Sequence, residues 1–407
     1  MRKLACAMLK MKYIILVGDG MADYPIPELG NKTPLEVADT PNMDLVAKKG
    51  VSGMAKTIPD SMPPGSDVAN LSVLGYDPEI YYTGRGPLEA GSMGVELGKA
   101  DIAYRCNIVN VENGIMVDYS SGHISSGESK ELIELVDHEL GTQELKFHAG
   151  VSYRHLLVHR GGSESLKCIP PHDITGKMYE EYLPTGEGQE VVKALMERSR
   201  SILSDHPVNK KRRAVGKNPG NMIWPWGQGR VPDMPSILQK YGFTGAVISA
   251  VDLIKGIGYY AGLDIISVPG ATGYLDTNYL GKAEYALESL QENDFVWVHV
   301  EAPDEAGHAA DIKAKIKAIE DFDSKVVGTI LNGVENKEYM LLVMPDHLTP
   351  ISVRTHVHGA VPLAACGTRI ESDHVDRFCE TAAKSGSMRF EKGYTLMLYL
   401  VKSEGGN

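Results

Sequence analysis

The chain has 407 residues, of which 43% are hydrophobic and 23% are charged, a composition typical of folded globular proteins. Its 53 acidic residues outnumber its 41 basic ones, so the formal net charge is -12. This balance argues against nucleic acid as a partner, because no excess of lysine and arginine is available to neutralise phosphates. The length exceeds that of one ordinary core, and two domains or one domain with an insertion are expected.

The cysteine pattern and the apolar segments bear on the cellular compartment. The cysteines are scattered at Cys6, Cys106, Cys168, Cys366 and Cys379. Because none forms a C-x-x-C pair, neither a disulfide framework nor a thiolate zinc site is expected, and a reducing compartment fits best. The apolar stretch before Lys10 is too short for a signal peptide, and no later stretch is long enough to span a bilayer. The sequence therefore predicts a cytoplasmic protein with no membrane partner.

The first predicted element is a buried strand. Residues 13–17 (YIILV) form a continuous apolar run, which is typical of a strand that is covered on both faces. The strand is followed by Gly-Asp-Gly, which predicts a loop. Asp19 lies in this loop and is the first candidate metal ligand.

The next informative element is a helix that is predicted to begin at Ser66. Pro63, Pro64 and Gly65 end the preceding segment, which favours a helix start there. Serine is a preferred helix N-cap, and that role needs no chemistry. Alternatively, the Ser66 hydroxyl lies at the positive end of a helix beside metal ions, which would activate it as a nucleophile. The two interpretations are compatible in position.

The middle of the chain has a different pattern from the parts that flank it. The predicted elements there are a hairpin (residues 108–119), a helix (132–140), a strand (153–159) and a second helix (187–203). The basic run 210–213 is interpreted as a solvated helix end. We interpret residues 79–230 as an inserted α/β domain that interrupts one metal-binding domain, formed by residues 1–78 and 231–407.

Two further buried strands are predicted in the C-terminal half, at residues 295–300 (FVWVHV) and 339–344 (YMLLVM). Between them, residues 309–331 carry apolar side chains at helical spacing, which predicts a helix that covers the sheet. Strand–helix–strand alternation predicts an α/β fold with a mostly parallel sheet flanked by helices. Functional residues are then expected at the carboxyl ends of the strands.

Each of the three buried strands is followed by side chains that suit a metal ion. They are Asp19 after the first strand, Asp304 and His308 after the second, and Asp346, His347 and, further on, His356 after the third. Asp304 and His308 are one helical turn apart, so a helix would direct both toward the same ion. Carboxylate and imidazole ligands without thiolates suit Mn, Zn, Co or Mg rather than a structural zinc.

At this point the motifs resemble those of a known family. In chain order they are GDGMADYP, TPNMDLVAKKG, PPGSDVANLSVLGYDP, TGRGPLEA, VHVEAPDEAGH and PDHLTPISVRTH. They closely resemble the archaeal-type cofactor-independent phosphoglycerate mutases of the alkaline phosphatase superfamily, from Tyr13 to the C-terminus. The resemblance implies an alkaline-phosphatase-like core with an inserted domain, and an isomerase of glycolysis and gluconeogenesis that interconverts 3-phosphoglycerate and 2-phosphoglycerate.

The resemblance also implies two divalent metal ions, with manganese preferred over zinc, cobalt or magnesium, and no bisphosphoglycerate. One ion would be held by Asp19, Ser66, Asp346 and His347, and the other by Asp304, His308 and His356. One departure from the family pattern is visible after His356, where the chain has VHGAVP and the family usually has Asp-Pro before Val-Pro. His358 is therefore a competitor for this ligand position, although the spacing favours His356.

Outside the metal ligands, the resemblance points to His123 and Arg154 as substrate-binding residues of the inserted domain, with Arg105 as a further candidate. It also implies Asp173 as a catalytic residue and Lys255 as a phosphate contact. Other interpretations remain open, since a histidine in a Gly-rich segment can cap a turn and an arginine can be a structural ion-pair partner.

The implied mechanism begins with attack of Ser66 on the phosphoryl group, which gives phosphoserine and glycerate. Arg154 and His123 would retain the glycerate, Asp173 would act as general base, and the inserted domain would act as a lid that excludes water. The alternative is a metal-dependent phosphatase or phosphonate hydrolase of the same superfamily. The expected partner is a small-molecule phosphoglycerate, and the chain could be a monomer or a homo-oligomer.

Overall fold

A computed structural model describes residues 11–402 of the chain. These residues form two compact units: unit 1 comprises the chain up to Tyr82 and from Met234 onward, and unit 2 is Thr83–Asp233. The leader that was considered as a signal peptide lies largely outside the described residues. Within residues 11–402, helices long and apolar enough to cross a membrane are absent.

The strands alternate with helices in unit 1 and cluster in unit 2. In chain order they are β1 (Lys12–Gly18), β2 (Val51–Ala55), β3 (Asp101–Glu112), β4 (Ile115–Asp118), β5 (Leu145–His148), β6 (Arg154–Arg160), β7 (Met222–Gly229), β8 (Gly245–Ile248), β9 (Asp264–Ile266), β10 (Phe295–Val300), β11 (Tyr339–Met344), β12 (Val361–Gly367) and β13 (Met388–Phe390).

The helices range from single turns to four turns. They are α1 (Pro34–Val37), α2 (Pro41–Lys49), α3 (Ser66–Val73), α4 (Pro78–Tyr81), α5 (Arg85–Ser92), α6 (Ser126–Leu140), α7 (Gln189–Leu203), α8 (Pro207–Ala214), α9 (Ile237–Tyr241), α10 (Asp252–Tyr260), α11 (Tyr279–Ser289), α12 (Ala302–His308), α13 (Ile312–Asp321), α14 (Gly328–Val334), α15 (Glu380–Ala383) and α16 (Leu396–Lys402). A π-helical segment, Phe322–Val327, joins α13 to α14.

Unit 1 is built on an eight-stranded sheet in the order β13-β2-β12-β11-β1-β10-β8-β9. Every neighbouring pair is parallel except the two pairs that involve β12, which runs antiparallel to β11 and β2. The three apolar runs found in the sequence are the adjacent strands β10, β1 and β11, in which Val17 lies opposite His299 and Met344. The predicted mostly parallel α/β sheet is confirmed, and it brings three candidate ligand loops to one edge.

The helix predicted over residues 309–331 is confirmed as helical, but it is not continuous. It begins at Ile312, and the π-helical segment interrupts it. Within that segment the buried Asp323 carboxylate accepts the backbone N–H groups of Asn42 and Met43 at 3.2 and 2.7 Å. These donors belong to the first turn of α2 and have no partner within their own helix. The wider turn thus places a carboxylate that caps α2, a contact that apolar spacing alone does not predict.

Unit 2 is built on an antiparallel sheet of five strands. The long strand β3 pairs with three strands, β6, β7 and β4, all of them antiparallel to it. The predicted hairpin is β3–β4, whose turn residues Asn113 and Gly114 both have positive φ angles, as two-residue hairpin turns require. Helices α6 and α7 contribute Leu132, Val136 and Met196 to the apolar core beneath the sheet.

The prediction that the basic run 210–213 is solvated is wrong for Arg212, which is 2% exposed. Its Nε donates to the Asn218 carbonyl at 2.8 Å, and its terminal nitrogens contact Glu128 Oε2 at 2.7 Å and the Ser121 carbonyl at 2.6 Å. Because α8 packs against the rest of unit 2, Arg212 is buried and bonds to other segments, while its neighbours in the basic run are exposed to solvent. The Ser121 contact fixes the loop that carries His123.

Arg212→Ala is expected to lower the free energy of unfolding by about 2–4 kcal/mol, because it leaves two carbonyl groups and a partly buried carboxylate without their partner. Lys211→Ala is the matched control, since Lys211 is exposed on the same helix, and it should change stability by less than about 0.5 kcal/mol. Urea unfolding followed by circular dichroism measures both variants. Equal midpoints for the two would contradict this account of Arg212.

Candidate active site

Four of the predicted residues meet where β1 and β11 end. Ser66 Oγ is 3.0 Å from His347 Nε2, and the same nitrogen is 3.3 Å from Asp19 Oδ1 and 3.6 Å from Asp346 Oδ2. The Asn70 side chain donates to Asp346 Oδ2 at 2.6 Å and to the Ser66 carbonyl at 2.9 Å. The start of α3 is thereby tied to the loop after β11, and the serine hydroxyl faces carboxylate and imidazole groups.

Three further predicted residues meet beside this group, after β10. His308 Nε2 is 3.1 Å from Asp304 Oδ2, and His356 Nε2 is 3.5 Å from Asp304 Oδ1 and 3.1 Å from His308 Nε2. Asp304 and His308 lie on α12, as their spacing predicted. The Thr349 hydroxyl contacts Asp304 Oδ1 and lies 3.2 Å from His347 Nδ1, so it joins the two groups.

The structure also separates the two competing histidines after Thr349. His356 lies in the group around Asp304, whereas His358 is exposed and its Nε2 is 2.9 Å from the Met62 carbonyl. His356 is therefore the one with ligand geometry.

Helix α3 starts as predicted, but the N-cap interpretation of Ser66 is wrong. Gly65 is the N-cap residue, with an extended backbone, and Ser66 is the first residue of the helix. The hydroxyl is consequently free of a capping role and faces His347.

The pKa values of the buried carboxyl groups Asp19 and Asp304 are shifted in opposite directions. Burial, together with the charges of Asp346 and Asp304, raises the pKa of Asp19 well above its ordinary value. Burial has the same tendency at Asp304, but hydrogen bonds with His308 and His356 hold the pKa of Asp304 well below the ordinary value. The hydrogen bond to Asp304 raises the pKa of His308 to about 9. Asp19 is thus the carboxylate whose charge is least compensated by protein groups.

In unit 2, an aromatic cluster connects the predicted substrate-binding residues. The His123 ring lies 6.1 Å from the Tyr153 ring, and the Arg154 guanidinium lies 5.9 Å from that same ring. Tyr153 in turn contacts Tyr119 at 5.8 Å between ring centroids. His123 itself is exposed on a loop and has a positive φ angle of 47°, a conformation that the loop contacts must hold.

The same aromatic cluster extends to the two other predicted residues of unit 2, Asp173 and Arg105. The His172 ring lies 5.9 Å from Tyr119 and 5.3 Å from Trp226, and its Nε2 is 3.8 Å from Asp173 Oδ1. The Arg105 guanidinium stacks over Trp226 at 5.0 Å. The structure therefore brings Arg105, Arg154, His123 and Asp173 into one connected cluster of unit 2. Arg105 is buried and also pairs with Glu89 at 3.0 Å, so part of its charge is already compensated.

Lys255, the predicted phosphate contact, lies on α10 of unit 1. Its Nζ is 3.6 Å from Asp252 Oδ1 on the same helix. Its positive charge also contributes to the lowered pKa of Lys282. Lys282 is fully buried, donates to the His299 carbonyl at 3.0 Å, and has its pKa lowered by burial to about 8. The Lys255 ammonium thus faces a neighbouring acid, and its phosphate role stays a prediction.

Comparisons with known proteins place these groups in a family. Residues 47–209 match the family model described as 2,3-bisphosphoglycerate-independent phosphoglycerate mutase. A protein of Methanosarcina mazei with that name is 55% identical over 398 residues, which cover 97% of this chain and 100% of the relative. The chain belongs to the cofactor-independent phosphoglycerate mutase family. A second relative, 2,3-bisphosphoglycerate-independent phosphoglycerate mutase 2 of Methanothermobacter thermautotrophicus, is 52% identical and covers 96% of this chain and 97% of its own length.

Solved structures agree with this membership. The cofactor-independent phosphoglycerate mutase of Thermoplasma acidophilum is 30% identical with a TM-score of 0.67, covering 97% of this chain and 100% of that one. A protein of Pyrococcus horikoshii is 31% identical with a TM-score of 0.84, covering 98% and 99% of the two chains. A cofactor-independent phosphoglycerate mutase is an isomerase whose small-molecule substrate is a phosphoglycerate and whose reaction needs no 2,3-bisphosphoglycerate.

The donor atoms of this site fit divalent metal ions. Three sets of donor atoms lie within 4.8 Å of one another: Asp304, His308 and His356; Asp19, Asp304 and His347; and Asp19, His299 and Asp346. Asp19 Oδ1 is buried and has no hydrogen-bond partner among residues 11–402. An unpaired buried carboxylate oxygen is costly, and a cation beside it would remove the cost. Oxygen and nitrogen donors of this kind suit manganese, zinc, cobalt or magnesium.

A buried ion pair outside the cluster holds two of its loops together. Lys315 Nζ lies 2.7 Å from Asp23 Oδ2 and donates to the Thr349 carbonyl at 2.8 Å. Asp23 also accepts the Ile351 backbone N–H at 3.1 Å. The loop after β1 is thereby attached to the loop after β11, and Thr349 is held where its hydroxyl meets Asp304. This lysine of α13 was not singled out from the sequence, because its position looks like an ordinary surface position of an amphipathic helix.

His299 is another residue of the site that the sequence analysis did not identify, as are Asn70 and Thr349. It belongs to β10, is fully buried, and its Nε2 lies 3.1 Å from Asp19 Oδ2. Burial lowers the pKa of His299 to about 4, so the ring is neutral. The available signal was a polar residue within the otherwise apolar run FVWVHV, since a buried imidazole requires a partner.

Proposed function

We propose that the chain interconverts 3-phosphoglycerate and 2-phosphoglycerate through a phosphoserine intermediate on Ser66, at a site that holds two divalent metal ions. The observation that carries this proposal is the position of the Ser66 hydroxyl, 3.0 Å from His347 Nε2 within a buried group of carboxylates and imidazoles. A serine that served only to begin a helix would not need to face that group.

The proposed ligands follow the two groups of side chains. Asp19, Ser66, Asp346 and His347 would hold one ion, and Asp304, His308 and His356 would hold the other, with manganese as our first choice. When bound, the ions would neutralise charge on the transferring phosphoryl group and favour the ionised form of the serine hydroxyl.

The covalent steps balance without an additional reactant. Ser66 Oγ forms a bond to phosphorus while the bond from phosphorus to the substrate oxygen breaks. The serine hydroxyl loses one proton, and the departing glycerate oxygen gains one. In the second half, the other hydroxyl of glycerate forms a bond to phosphorus and gives its proton to Asp173, while the bond from phosphorus to Ser66 Oγ breaks and the serine oxygen regains a proton. Asn70 supports the first step by holding both the Ser66 backbone and Asp346 in place.

Unit 2 is proposed to bind the glycerate part of the substrate and to act as the lid that excludes water. Arg154, Arg105 and His123 would pair with its carboxylate, because guanidinium groups recognise carboxylates through parallel hydrogen bonds. The side chain of Asp173 is exposed and therefore accessible to a substrate hydroxyl. Retention of glycerate is what separates a mutase from a phosphatase, since water would otherwise take the phosphoryl group.

A coupled assay of the purified protein without 2,3-bisphosphoglycerate tests the proposal. Formation of 2-phosphoglycerate is expected, with a fall of at least about 1,000-fold after thorough chelation and recovery on addition of Mn²⁺, because the ions supply the main charge stabilisation. Activity that survives complete metal removal would refute the metal site. Release of inorganic phosphate in place of 2-phosphoglycerate would instead indicate the hydrolytic chemistry of a phosphatase.

A further inference from the structure

Arg85 is the first residue of α5 and lies between two glycines that pass very close to neighbouring strands. A β-carbon on Gly84, which has a positive φ angle of 136°, would collide with the Gln228 carbonyl oxygen of β7. A β-carbon on Gly86 would collide with the Ala103 carbonyl oxygen of β3. Glycine is therefore required on both sides of the arginine, because any other residue would push the chain away from the sheet. This close approach fixes the position of Arg85 in unit 2.

The side chain of Arg85 lies over the ring of Trp226, together with a second guanidinium. The Cζ atoms of Arg85 and Arg105 lie 5.7 and 5.0 Å from the ring centroid. Trp226 is buried, and its Nε1 donates to Asn107 Oδ1 at 3.0 Å, which fixes the plane of the ring. Because the face of an indole attracts cations, one ring orients both arginines.

A third guanidinium belongs to the same region of the sheet. Arg154 of β6 lies opposite Asn107 of β3, and Asn107 is two residues from Arg105, so the three side chains share one face. Burial lowers the pKa of Arg105; the carboxylate of Glu89 opposes this shift, and the charges of Arg85 and Arg154 add to it. Unit 2 thus gathers three arginines that repel one another.

Two of these arginines also carry N–H groups that lack an acceptor. Arg105 Nε and Arg154 Nε are both buried, and neither has a hydrogen-bond partner among residues 11–402. A buried N–H group without an acceptor is costly, and the oxygens of a bound anion would remove this cost. Guanidinium groups bind carboxylates particularly well, since their planar arrays of donors match the two oxygens. Repelling cations with unused donors therefore indicate a binding site for an anion.

We propose that Arg85 is a further substrate-binding residue, which together with Arg105 and Arg154 binds the carboxylate of the glycerate part, and that Trp226 holds Arg85 in place for this contact. The proposal rests on the proposed function, in which unit 2 binds glycerate. The competing possibility is that Arg85 serves only to pack on Trp226. A packing residue would contribute to stability, but it would not distinguish a carboxylate ligand from a phosphate ligand.

Inhibition of mutase turnover by glycerate and by inorganic phosphate tests this distinction. Glycerate carries the carboxylate without the phosphoryl group, and phosphate carries no carboxylate. In Arg85→Gln the inhibition constant of glycerate should rise by about 10–100-fold, while that of phosphate stays within about twofold of the wild type, because a charged hydrogen bond to the carboxylate is lost. The KM for 3-phosphoglycerate should rise by a similar factor, with a smaller change in kcat.

Two further variants accompany this test. Arg198→Gln removes an exposed arginine of α7 in the same unit and should leave both inhibition constants unchanged. Arg85→Lys keeps the charge but loses the planar array of donors, so inhibition by glycerate should weaken by about 3–10-fold. Arg85→Lys provides the test if the glutamine variant does not fold, and circular dichroism checks the fold of each variant.

The outcomes also distinguish this proposal from the function on which it rests. Unchanged inhibition by glycerate in the Arg85 variants would overturn the role of Arg85. A loss of phosphate inhibition as large as the loss of glycerate inhibition would overturn it as well, since the effect would not be specific to the carboxylate. Failure of the wild-type chain to form 2-phosphoglycerate would instead overturn the proposed function.

Discussion

Ser66→Ala is expected to lower mutase turnover by about 10,000-fold or more and to abolish labelling of the protein by ³²P-phosphoglycerate. The methyl group cannot form the bond to phosphorus, and the loss of a nucleophile typically removes most of the acceleration that a site provides. The coupled assay measures turnover. Acid-stable label on the protein, located by mass spectrometry of its peptides, measures the phosphoserine.

The matched control for this prediction is Ser61→Ala. Ser61 precedes the same helix, is exposed, and contacts Glu79 instead of the cluster, so its replacement should leave both turnover and labelling unchanged. Metal content of the Ser66→Ala protein should be measured in parallel, since the hydroxyl is also a proposed ligand. Label that persists in Ser66→Ala would assign the nucleophile to another residue.

The centre of the fold could be predicted because its signals are local. Three continuous apolar runs and a helical pattern between two of them predict parallel strands of one sheet, and β10, β1 and β11 are parallel strands that lie side by side in that sheet. The reversed direction of β12 and the π-helical segment Phe322–Val327 could not be predicted. Both depend on contacts between distant segments, such as the pairing of β12 with β2 or the capping of α2 by Asp323.

The site shows the same division between local and long-range information. Asp19, Asp304 and Asp346 could be found because each follows a recognisable strand, and the structure brings them together. His299 and Lys315 could not be found from the same pattern. A histidine within a strand and a lysine on an amphipathic helix acquire their importance only from the loops that pack against them, which the sequence does not place.

The cluster of carboxylates has a consequence for the stability of the metal-free protein. Asp346 is also fully buried, and burial alone would raise its pKa, but the neighbouring imidazoles of His347 and His299 and a hydrogen bond outweigh this effect and lower it. Asp19 has the opposite shift, because burial and two neighbouring carboxylates raise its pKa. The charge of Asp19 is therefore unfavourable without a cation and favourable with one. Replacing Asp19 should therefore change the free energy of unfolding in opposite directions in the absence and in the presence of the cation.

Asp19→Asn is expected to stabilise the metal-free protein at pH 8 by about 1–3 kcal/mol, because it removes an uncompensated buried charge while keeping the shape of the side chain. In the presence of saturating Mn²⁺ the order should reverse. A ligand at 1,000 times its dissociation constant stabilises the native state by about 4 kcal/mol, and the variant should lose most of this gain together with its activity. Thermal and urea unfolding with and without Mn²⁺ measure both effects.

The pH dependence of stability tests whether the charge of Asp19 is the cause of this effect. A group whose pKa is higher in the folded state holds its proton longer than in the unfolded state, so its contribution to stability is full below about pH 4 and is lost as the pH rises. The metal-free advantage of Asp19→Asn should accordingly grow from pH 5 to pH 8. Asp39→Asn, an exposed aspartate of unit 1, should show neither the growth nor the reversal. A variant that is less stable than the wild type in the metal-free state at pH 8 would mean that protein groups already compensate the Asp19 charge, and the electrostatic case for a cation at this carboxylate would fail.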